Sequence, residues 1–261
     1  MRALDIAASG LAAQQLNVDT ISQNLANMNT TGYKSARVEF QDLLYQDLKR
    51  VGTNSTDQGT ILPVGLQIGL GVKSVAISRN TAQGSLSSTQ NALDLGINGQ
   101  GYFQISLPDG TIAYTRDGSF KLSASGQIVT ADGFTVQPGI TVPTNATQIS
   151  INASGQVEVT ITGQTTPSQV GQLQLANFVN PNGLQAKGGN LYLETPASGT
   201  PTSGNPGQDQ YGNLQQGYLE SSNVDSVSAI TTLVSAQRAY EMNTKVLKAA
   251  DEMLQSLNQT A

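Results

Sequence analysis

The sequence contains no cysteine, no histidine and no tryptophan. Without histidine or cysteine, the ordinary ligand sets of zinc, copper, haem and iron–sulfur sites are excluded. The same absences exclude a Ser-His-Asp triad, a cysteine nucleophile and a histidine general base. Only carboxylates, lysines and hydroxyls are therefore left for catalysis. Together with the lack of phosphate-binding and calcium-loop motifs, these absences predict a protein with no cofactor and no metal.

Charge is also scarce. Charged residues make up 12% of the chain, and the formal net charge is −5. An acidic chain lacks the Lys/Arg excess with which nucleic-acid binders neutralise phosphates, so no nucleic-acid partner is expected. No run approaches the ~20 apolar residues that span a bilayer, so no membrane insertion is expected. A continuous apolar signal-peptide core is also lacking, which predicts a protein that stays in the cytoplasm or is exported without a cleaved signal peptide.

Helix-breaking residues are missing from both ends of the chain. All nine prolines lie between Pro63 and Pro206, Gly10 is the only glycine before residue 32, and no glycine follows Gly217. Proline breaks helix interiors and glycine weakens them. The distribution predicts an α+β protein, with helices at both termini and a central antiparallel all-β domain.

Apolar residues at both ends recur every seven positions. The N-terminal series, with companions three residues later, comprises Leu4, Leu11, Val18, Leu25, Ala7, Gln14, Ile21 and Met28. The C-terminal series and its companions comprise Leu233, Tyr240, Leu247, Leu254, Ala229, Ala236, Asn243, Ala250 and Leu257. This spacing predicts a helix that ends near Met28 and a second over about 222–258, pairing as a coiled-coil core domain. Pairing within one monomer and pairing with neighbouring subunits both remain open, and Gln14 and Asn243 are expected to fix register.

The central part of the sequence predicts a series of β-hairpins. In the first, apolar and polar residues alternate along a strand over Tyr102–Leu107, Pro108-Asp109-Gly110 forms the turn, and Thr111–Thr115 forms the second strand. Glycine supplies positive φ in such turns, and further turns are predicted at Asp117-Gly118, Ser125-Gly126, Asp132-Gly133 and Ser154-Gly155. More strands are predicted over 148–152, 156–162, 170–178 and 190–194, in a sandwich or barrel-like domain. The polar stretch 46–63 shows no periodicity and is expected to be a connector or extended arm.

No active site is nominated by the sequence. The glycine-rich segments 69–71 and 96–101 match no phosphate-binding motif. Asp109, Asp117 and Asp132 each precede glycine, so turn chemistry explains them better than a calcium loop or the paired carboxylates of a glycosidase. The sequence therefore predicts that the protein is not an enzyme. A carboxylate-based peptidoglycan hydrolase and a monomeric adhesin are the rival classes.

The terminal motifs resemble those of the flagellar rod and hook proteins. The N-terminal motif is Asn24-Leu25-Ala26-Asn27 followed by Asn29-Thr30-Thr31-Gly32-Tyr33-Lys34. The C-terminal motif is Gln237-Arg238-Ala239-Tyr240-Glu241-Met242-Asn243, preceded by Gly217-Tyr218-Leu219-Glu220-Ser221-Ser222-Asn223-Val224. Segments 62–72, 83–86, 97–104 and 114–120, the last reading Tyr114-Thr115-Arg116-Asp117-Gly118-Ser119-Phe120, are similar to the members that build the distal rod of the basal body. Proximal rod proteins share the terminal motifs and are the alternative.

The resemblance implies a structural subunit that polymerises helically into a rigid hollow drive shaft and transmits motor torque to the hook. The implied partners are other copies of the chain, proximal rod proteins, the hook protein, the peptidoglycan-layer and outer-membrane bushing rings, and the flagellar type III export apparatus. The implied location is the periplasm-spanning rod, reached without a cleaved signal peptide.

The resemblance also assigns parts and residues. Residues 1–32 and 220–261 would form the helical polymerisation domain, 33–75 a connector with a stiffening segment at about 46–63, and 76–219 the β domain. The expected subunit-packing residues are Leu4, Leu11, Val18, Ile21, Leu25, Leu233, Tyr240, Asn243, Leu247 and Leu254. The family-motif residues are Asn24, Asn27, Asn29, Thr30, Gly32, Tyr33, Gln237, Arg238, Ala239 and Tyr240.

Overall fold

A computed structural model describes residues 2–49, 65–163 and 166–260, with side chains in the last range up to Ser256. The fold is α+β, as predicted: helices α1 (Arg2–Ala26) and α2 (Ser226–Thr260) lie at the two ends of a run of β-strands. The chain forms two compact units. We call them the helical unit (up to residue 25, 36–78 and from 226) and the β unit (26–35 and 79–225).

Among the residues that the structure describes, the helical unit combines both long helices with four strands. These are β1 (Ala36–Asp42), β2 (Tyr45–Lys49), β3 (Leu66–Gly69) and β4 (Val72–Arg79). β2 pairs antiparallel with β3, with Tyr45 opposite Gly69, and β1 pairs with β4. Within the predicted arm at 46–63, residues 46–49 thus belong to a strand, and 50–63 lie outside the described residues.

The two helices begin and end close to where the sequence places them. α1 ends at Ala26, two residues before the predicted end at Met28, and Gly32 then adopts a φ of +67°. α2 holds many uncharged polar residues without losing its helical hydrogen bonds. Thr231 and Thr244 donate their hydroxyls to the carbonyls four residues earlier, at 2.9 and 3.0 Å, which satisfies these groups within the helix.

The β unit contains the remaining strands. They are β5 (Leu86–Ser88), β6 (Leu95–Asn98), β7 (Tyr102–Ser106), β8 (Ile112–Thr115), β9 (Lys121–Leu122), β10 (Ile128–Val129), β11 (Thr135–Val136), β12 (Ala146–Ile151), β13 (Gln156–Ile161), β14 (Ser168–Gln172), β15 (Leu175–Asn177), β16 (Gln185–Gly188), β17 (Leu191–Leu193), β18 (Thr202–Gly204), β19 (Asn213–Gln216) and β20 (Tyr218–Glu220). A short 3-10 helix spans Pro181–Gly183.

The largest sheet of the β unit has nine strands arranged around β7. β7 pairs antiparallel with β8 on one edge and with β15 and β11 in succession on the other. A three-stranded sheet, β12-β13-β14, and the pairs β19-β6 and β20-β5 complete the unit. The alternation of Tyr102–Ser106 places Phe103 and Ile105 in the core, where Phe103 meets Phe120 edge to face at 5.0 Å.

Two sequence predictions in this unit are wrong in detail. The single strand expected over 170–178 is two strands, because β14 pairs with β13 in the small sheet whereas β15 pairs with β7 in the large one. Gly126, Gly133 and Gly155 have positive φ, as their turns require, but Gly118 does not. A Cβ at Gly118 would collide with the carbonyl oxygen of Leu95, so close backbone approach is what requires this glycine.

Candidate functional site

The two long helices approach each other at Gly10. A Cβ built on Gly10 would lie 3.1 Å from Nδ2 of Asn243, so the amide of Asn243 occupies the space that the missing side chain leaves. Farther along the same two helices, C-terminal to Gly10 on α1 and N-terminal to Asn243 on α2, Gln15 and Val18 line a groove of about 350 Å³ together with Gln237 and Tyr240. Asn243, the polar residue predicted to fix register, thus meets the smallest residue of α1.

The predicted packing residues lie mostly at intermediate depth. Ile21 is buried, whereas the half-buried members are Leu4, Leu11, Val18, Leu25, Leu233, Asn243, Leu247 and Leu254. Tyr240 is exposed. The fully buried apolar residues of the two helices, apart from Ile21, are the small ones: Ala7, Ala13, Ala236 and Ala250. Within this unit the large apolar side chains therefore keep much of their surface accessible.

α2 carries a second apolar face, which the heptad series did not include. Its members, which we call the exposed stripe, are Val227, Ile230, Val234, Met242, Val246 and Met253. At 100° per residue, Val227, Ile230 and Val234 fall on the side of the helix opposite the buried Ala236 and Ala250, whereas Met242, Val246 and Met253 lie on its flank. The hairpin of β2 and β3 adds exposed Leu44, Tyr45, Leu48 and Leu66. Large exposed apolar patches mark interaction sites in soluble proteins, and these side chains are the candidates for such a site in the helical unit.

Asn24 of the N-terminal motif fixes the chain that follows α1. Its Nδ2 donates to the carbonyl of Ala36 at 2.7 Å, and its Oδ1 accepts from the backbone N–H of Ala36 at 2.8 Å. The amide therefore mimics a strand partner for the start of β1. Asn27 accepts from the hydroxyl of Thr30, and Asn29 is exposed in the same turn.

Gly32 sits where no other residue fits. Its φ is +67°, and a Cβ would lie 2.8 Å from the carbonyl carbon of Arg116 and 2.9 Å from the nitrogen of Asp117. Its N–H donates to the carbonyl of Glu220 at 2.8 Å. This contact joins three of the quoted motifs, around residues 32, 116 and 220.

A buried charge cluster lies beside Gly32. Nζ of Lys34 is 2.6 Å from Oε1 of Glu220, and Nε of Arg116 is 2.9 Å from Oε2. The Arg116–Glu220 contact is an ion pair without the alignment of a hydrogen bond. All three side chains are at most 5% exposed. Losing one member of such a cluster costs roughly 3–5 kcal/mol, because the remaining charges stay buried.

Backbone groups satisfy most of the remaining hydrogen-bonding capacity of the cluster. Arg116 donates to the carbonyls of Gly99 and Gly101 at 2.7–2.9 Å, and Lys34 donates to that of Ala82 at 2.8 Å. Oε1 of Glu220 also accepts from the N–H of Gly84 at 2.9 Å. Burial lowers the pKa of Lys34, against the hydrogen bond and charge of Glu220, which favour the ammonium.

Asn223 closes the same end of the β unit. Its Oδ1 accepts from the N–H of Ser35 at 2.7 Å, and its Nδ2 donates to the carbonyls of Asn80 and Ala82, both at 2.9 Å. Tyr33, half-buried beside Tyr192, has a raised pKa, caused first by burial. The segment that enters the β unit and the one that leaves it are thus hydrogen-bonded side by side.

The structure brings some of the predicted motif residues together and leaves others apart. Gly32 and Tyr33 lie in the β unit, whereas Gln237, Arg238, Ala239 and Tyr240 lie on α2 in the helical unit, exposed except for the half-buried Ala239. Sequence reasoning missed Lys34, Arg116 and Glu220 as a cluster. The available signal was that each lies inside a quoted motif, although nothing in the spacing linked the three.

Family models match three separate parts of the chain. A model described as "Flagella basal body rod protein" covers residues 4–34, "Flagellar hook protein FlgE/F/G D1 domain" covers 96–159, and "Flagellar basal body rod FlgEFG protein C-terminal" covers 215–260. Together they define the class, which is that of the flagellar rod and hook subunits.

Relatives that match nearly the whole chain identify the family within this class. The flagellar basal-body rod protein FlgG of Caulobacter vibrioides is 57% identical over 259 residues, which is 99% of each chain. The FlgG proteins of Agrobacterium fabrum and Bacillus subtilis are 51% and 38% identical, over 97% and 98% of each chain. The chain belongs to the FlgG family of flagellar basal-body rod proteins.

Family membership confirms the resemblance and the predicted role. The chain is a structural subunit of the flagellar distal rod, located in the basal body, and it is not an enzyme. Neither a proximal rod protein nor a peptidoglycan hydrolase is favoured. Over the residues that the structure describes, neither helix has the length and apolar character needed to cross a membrane.

Proposed function

We propose that the chain polymerises helically through its helical unit into a rigid hollow shaft that carries motor torque to the hook. The observation that carries this proposal is the exposed stripe of α2, in which Val227, Ile230 and Val234 lie opposite the helix face containing Ala236 and Ala250. One helix with two apolar faces can pair with α1 through one and with a neighbouring copy through the other. The first pairing would be the coiled coil of the termini, with Asn243 against Gly10 setting its register.

In this proposal the predicted packing residues take up both kinds of contact. Leu4, Leu11 and Val18 of α1 would pack against Leu233, Leu247 and Leu254 of α2, within and between subunits. Truncating a buried leucine costs about 2–5 kcal/mol, and a helical lattice repeats the loss at every subunit. The division into a helical polymerisation domain (1–32, 220–261), a connector (33–75) and a β domain (76–219) belongs to the same proposal.

Segment 46–63 is proposed to stiffen the shaft. Its first residues, 46–49, lie in the β2–β3 hairpin, whose Leu48 and Leu66 are exposed. Deleting 50–63 should give a polymer that forms but bends, as seen in its curvature on electron micrographs. Straight filaments from the deletion variant would count against this role.

The remaining partners follow from rod membership. They are the proximal rod proteins, the hook protein, the bushing rings of the peptidoglycan layer and outer membrane, and the type III export apparatus, which would take the chain without a cleaved signal peptide. Without cysteine, the chain has no disulfide that must be formed or reduced before such export.

The test uses one residue from each of these two helix faces. Leu247 is half-buried on the side of Ala236 and Ala250, and Val234 of the exposed stripe is 41% exposed on the opposite side. We expect Leu247→Asp and Val234→Asp each to abolish rods in electron micrographs and fast-sedimenting polymer, while near-UV circular dichroism shows a folded β unit. A charge placed in either apolar contact is desolvated without a partner.

Leu122→Asp is the matched control. Leu122 lies on β9 in the β unit and is 41% exposed, as is Val234 of the exposed stripe. This variant adds the same charge at the same exposure and should still form rods. Long rods of Val234→Asp would overturn the proposal that the exposed stripe is a subunit contact.

A further inference from the structure

One cavity of the β unit lies against the buried charge cluster. It has a volume of about 420 Å³, and its lining includes Lys34, Arg116, Tyr102 and Gln100. Two cations and the single carboxylate of Glu220 leave the cluster with one excess positive charge. A buried net charge of this kind is stabilised when a counter-charge occupies the space beside it.

The cations still have donors to offer. Lys34 uses two of its three ammonium hydrogens on Ala82 and Glu220. Arg116 donates both hydrogens of Nη1 and one hydrogen of Nη2 to backbone carbonyls, and its Nε lies against Glu220. Within the described part of the chain, one donor on each residue is left for a further acceptor. Two adjacent cationic donors match the two oxygens of a carboxylate.

The surroundings add positive potential and an apolar rim. The guanidinium of Arg79 lies 5.2 Å from the centre of the Tyr192 ring, which itself packs edge to face with Tyr102 at 6.2 Å. Val179 lines the same cavity with 91% of its surface exposed. A ligand that combines an acidic group with an apolar contact area would cover both features.

We propose that this cavity receives an acidic side chain from a second copy of the chain, whose carboxylate pairs with Lys34 and Arg116 while Val179 is buried at the contact. The proposal rests on the polymerisation proposed above and adds a second subunit contact in the β unit. Charge complementarity selects the occupant, because the chain carries a net charge of −5 and this cavity is locally cationic. A charged pair that is desolvated between subunits fixes register as well as adding affinity.

The first measurement tests the carboxylate alone. Acetate is titrated into the isotope-labelled, unassembled chain at constant ionic strength, with chloride as the reference anion, while the Nε–H signal of Arg116 is followed by NMR. We expect saturable shifts with acetate and none with chloride. Gln100→Glu, an isosteric change at an exposed residue that lines the cavity, should shift this signal without acetate and remove the response.

The second measurement tests the occupant. The carboxylate that Gln100→Glu adds would either occupy the cavity itself or repel the acidic side chain of the second copy. The critical concentration for assembly should therefore rise about tenfold or more. Gln185→Glu is the control, because Gln185 is exposed on β16, outside the cavity lining, and the variant changes the net charge equally. It should assemble like the parent chain.

The outcomes separate the two proposals. Acetate binding with unchanged assembly of Gln100→Glu would overturn the second copy as occupant, and absence of any acetate response would overturn the carboxylate site itself. If neither the parent chain nor Gln185→Glu assembles while acetate still binds, the polymerisation proposal fails instead, and with it the occupant drawn from a second copy.

Discussion

The two compact units differ in where they keep their large apolar side chains. In the β unit, Phe103 and Phe120 are 1% and 2% exposed and lie inside a continuous core. In the helical unit the buried apolar residues are mainly alanines, and most of the valines, leucines and methionines that the structure describes there keep substantial accessible surface. Burial of apolar area is the main term in folding and in association alike. The β unit therefore buries its own large apolar side chains, whereas the helical unit leaves apolar area accessible, which the proposed polymerisation would cover.

The largest loss of stability that would test this difference between the units is expected at the buried charge cluster of the β unit. Glu220→Gln removes the carboxylate that Lys34 and Arg116 share. The β unit should lose about 3–5 kcal/mol of unfolding free energy in denaturant titrations. Glu39→Gln, at an exposed ion pair with Arg37, should cost at most ~1 kcal/mol. Equal losses in the two variants would contradict a special role for the buried cluster.

A smaller effect is expected at Asn24. Asn24→Ala removes two hydrogen bonds to the backbone of Ala36 and leaves those groups without their side-chain partner. The expected loss is about 1–3 kcal/mol. It should appear as faster hydrogen exchange of the Ala36 amide while β-unit amides keep their protection. An unchanged exchange rate at Ala36 would show that the two hydrogen bonds from Asn24 do not hold the start of β1 in place.

Alkaline pH should act on the β unit through a tyrosine. Burial, followed by the nearby carboxylate of Glu194, raises the pKa of Tyr114 to about 12. The protonated phenol is thus favoured in the folded state, so its stabilisation is complete below pH 10 and is lost as pH rises toward 12. Denaturation midpoints should fall over this range, and less steeply in Tyr114→Phe. An identical fall in both would assign the effect to other groups, such as Tyr102 and Tyr192, whose pKa values are also raised by burial.

The smallest effect on stability is expected on the exposed stripe. Val234→Ser changes a residue that is 41% exposed, so the unfolding free energy of the unassembled chain should change by no more than about 0.5 kcal/mol. Ala236→Ser, two positions away but 4% exposed, places a hydroxyl in the buried face and should cost more. The comparison sharpens if Val234→Ser assembles more weakly despite its normal stability, which sedimentation at several concentrations would measure.

Local signals in the sequence were enough for the helices and most turns. The absence of proline and glycine near the termini located α1 and α2, and positive φ at Gly126, Gly133 and Gly155 agrees with the predicted turns. The break between β14 and β15 could not be predicted, because it depends on which sheet each half joins.

The charge cluster was also beyond the sequence. Lys34 and Glu220 are separated by 186 residues, and no local pattern encodes such a contact. The exposed stripe of α2 was missed for a different reason. A seven-residue repeat selects one face of a helix, so Val234 on the opposite side and Val246 on the flank appeared as interruptions of the pattern.

The hydrogen bond between Ser35 and Asn223 holds together two segments of the β unit that adjoin the helical unit in sequence. Adding residues to a surface loop elsewhere in the β unit leaves this junction in place and costs little entropy, because loop closure depends only weakly on loop length. We expect the chain to tolerate insertions at Gly110 or Gly163, where a Cβ would meet nothing within 4 Å, better than at Gly32. Under the proposed polymerisation, added length at these turns would leave the sequences of both helices unchanged.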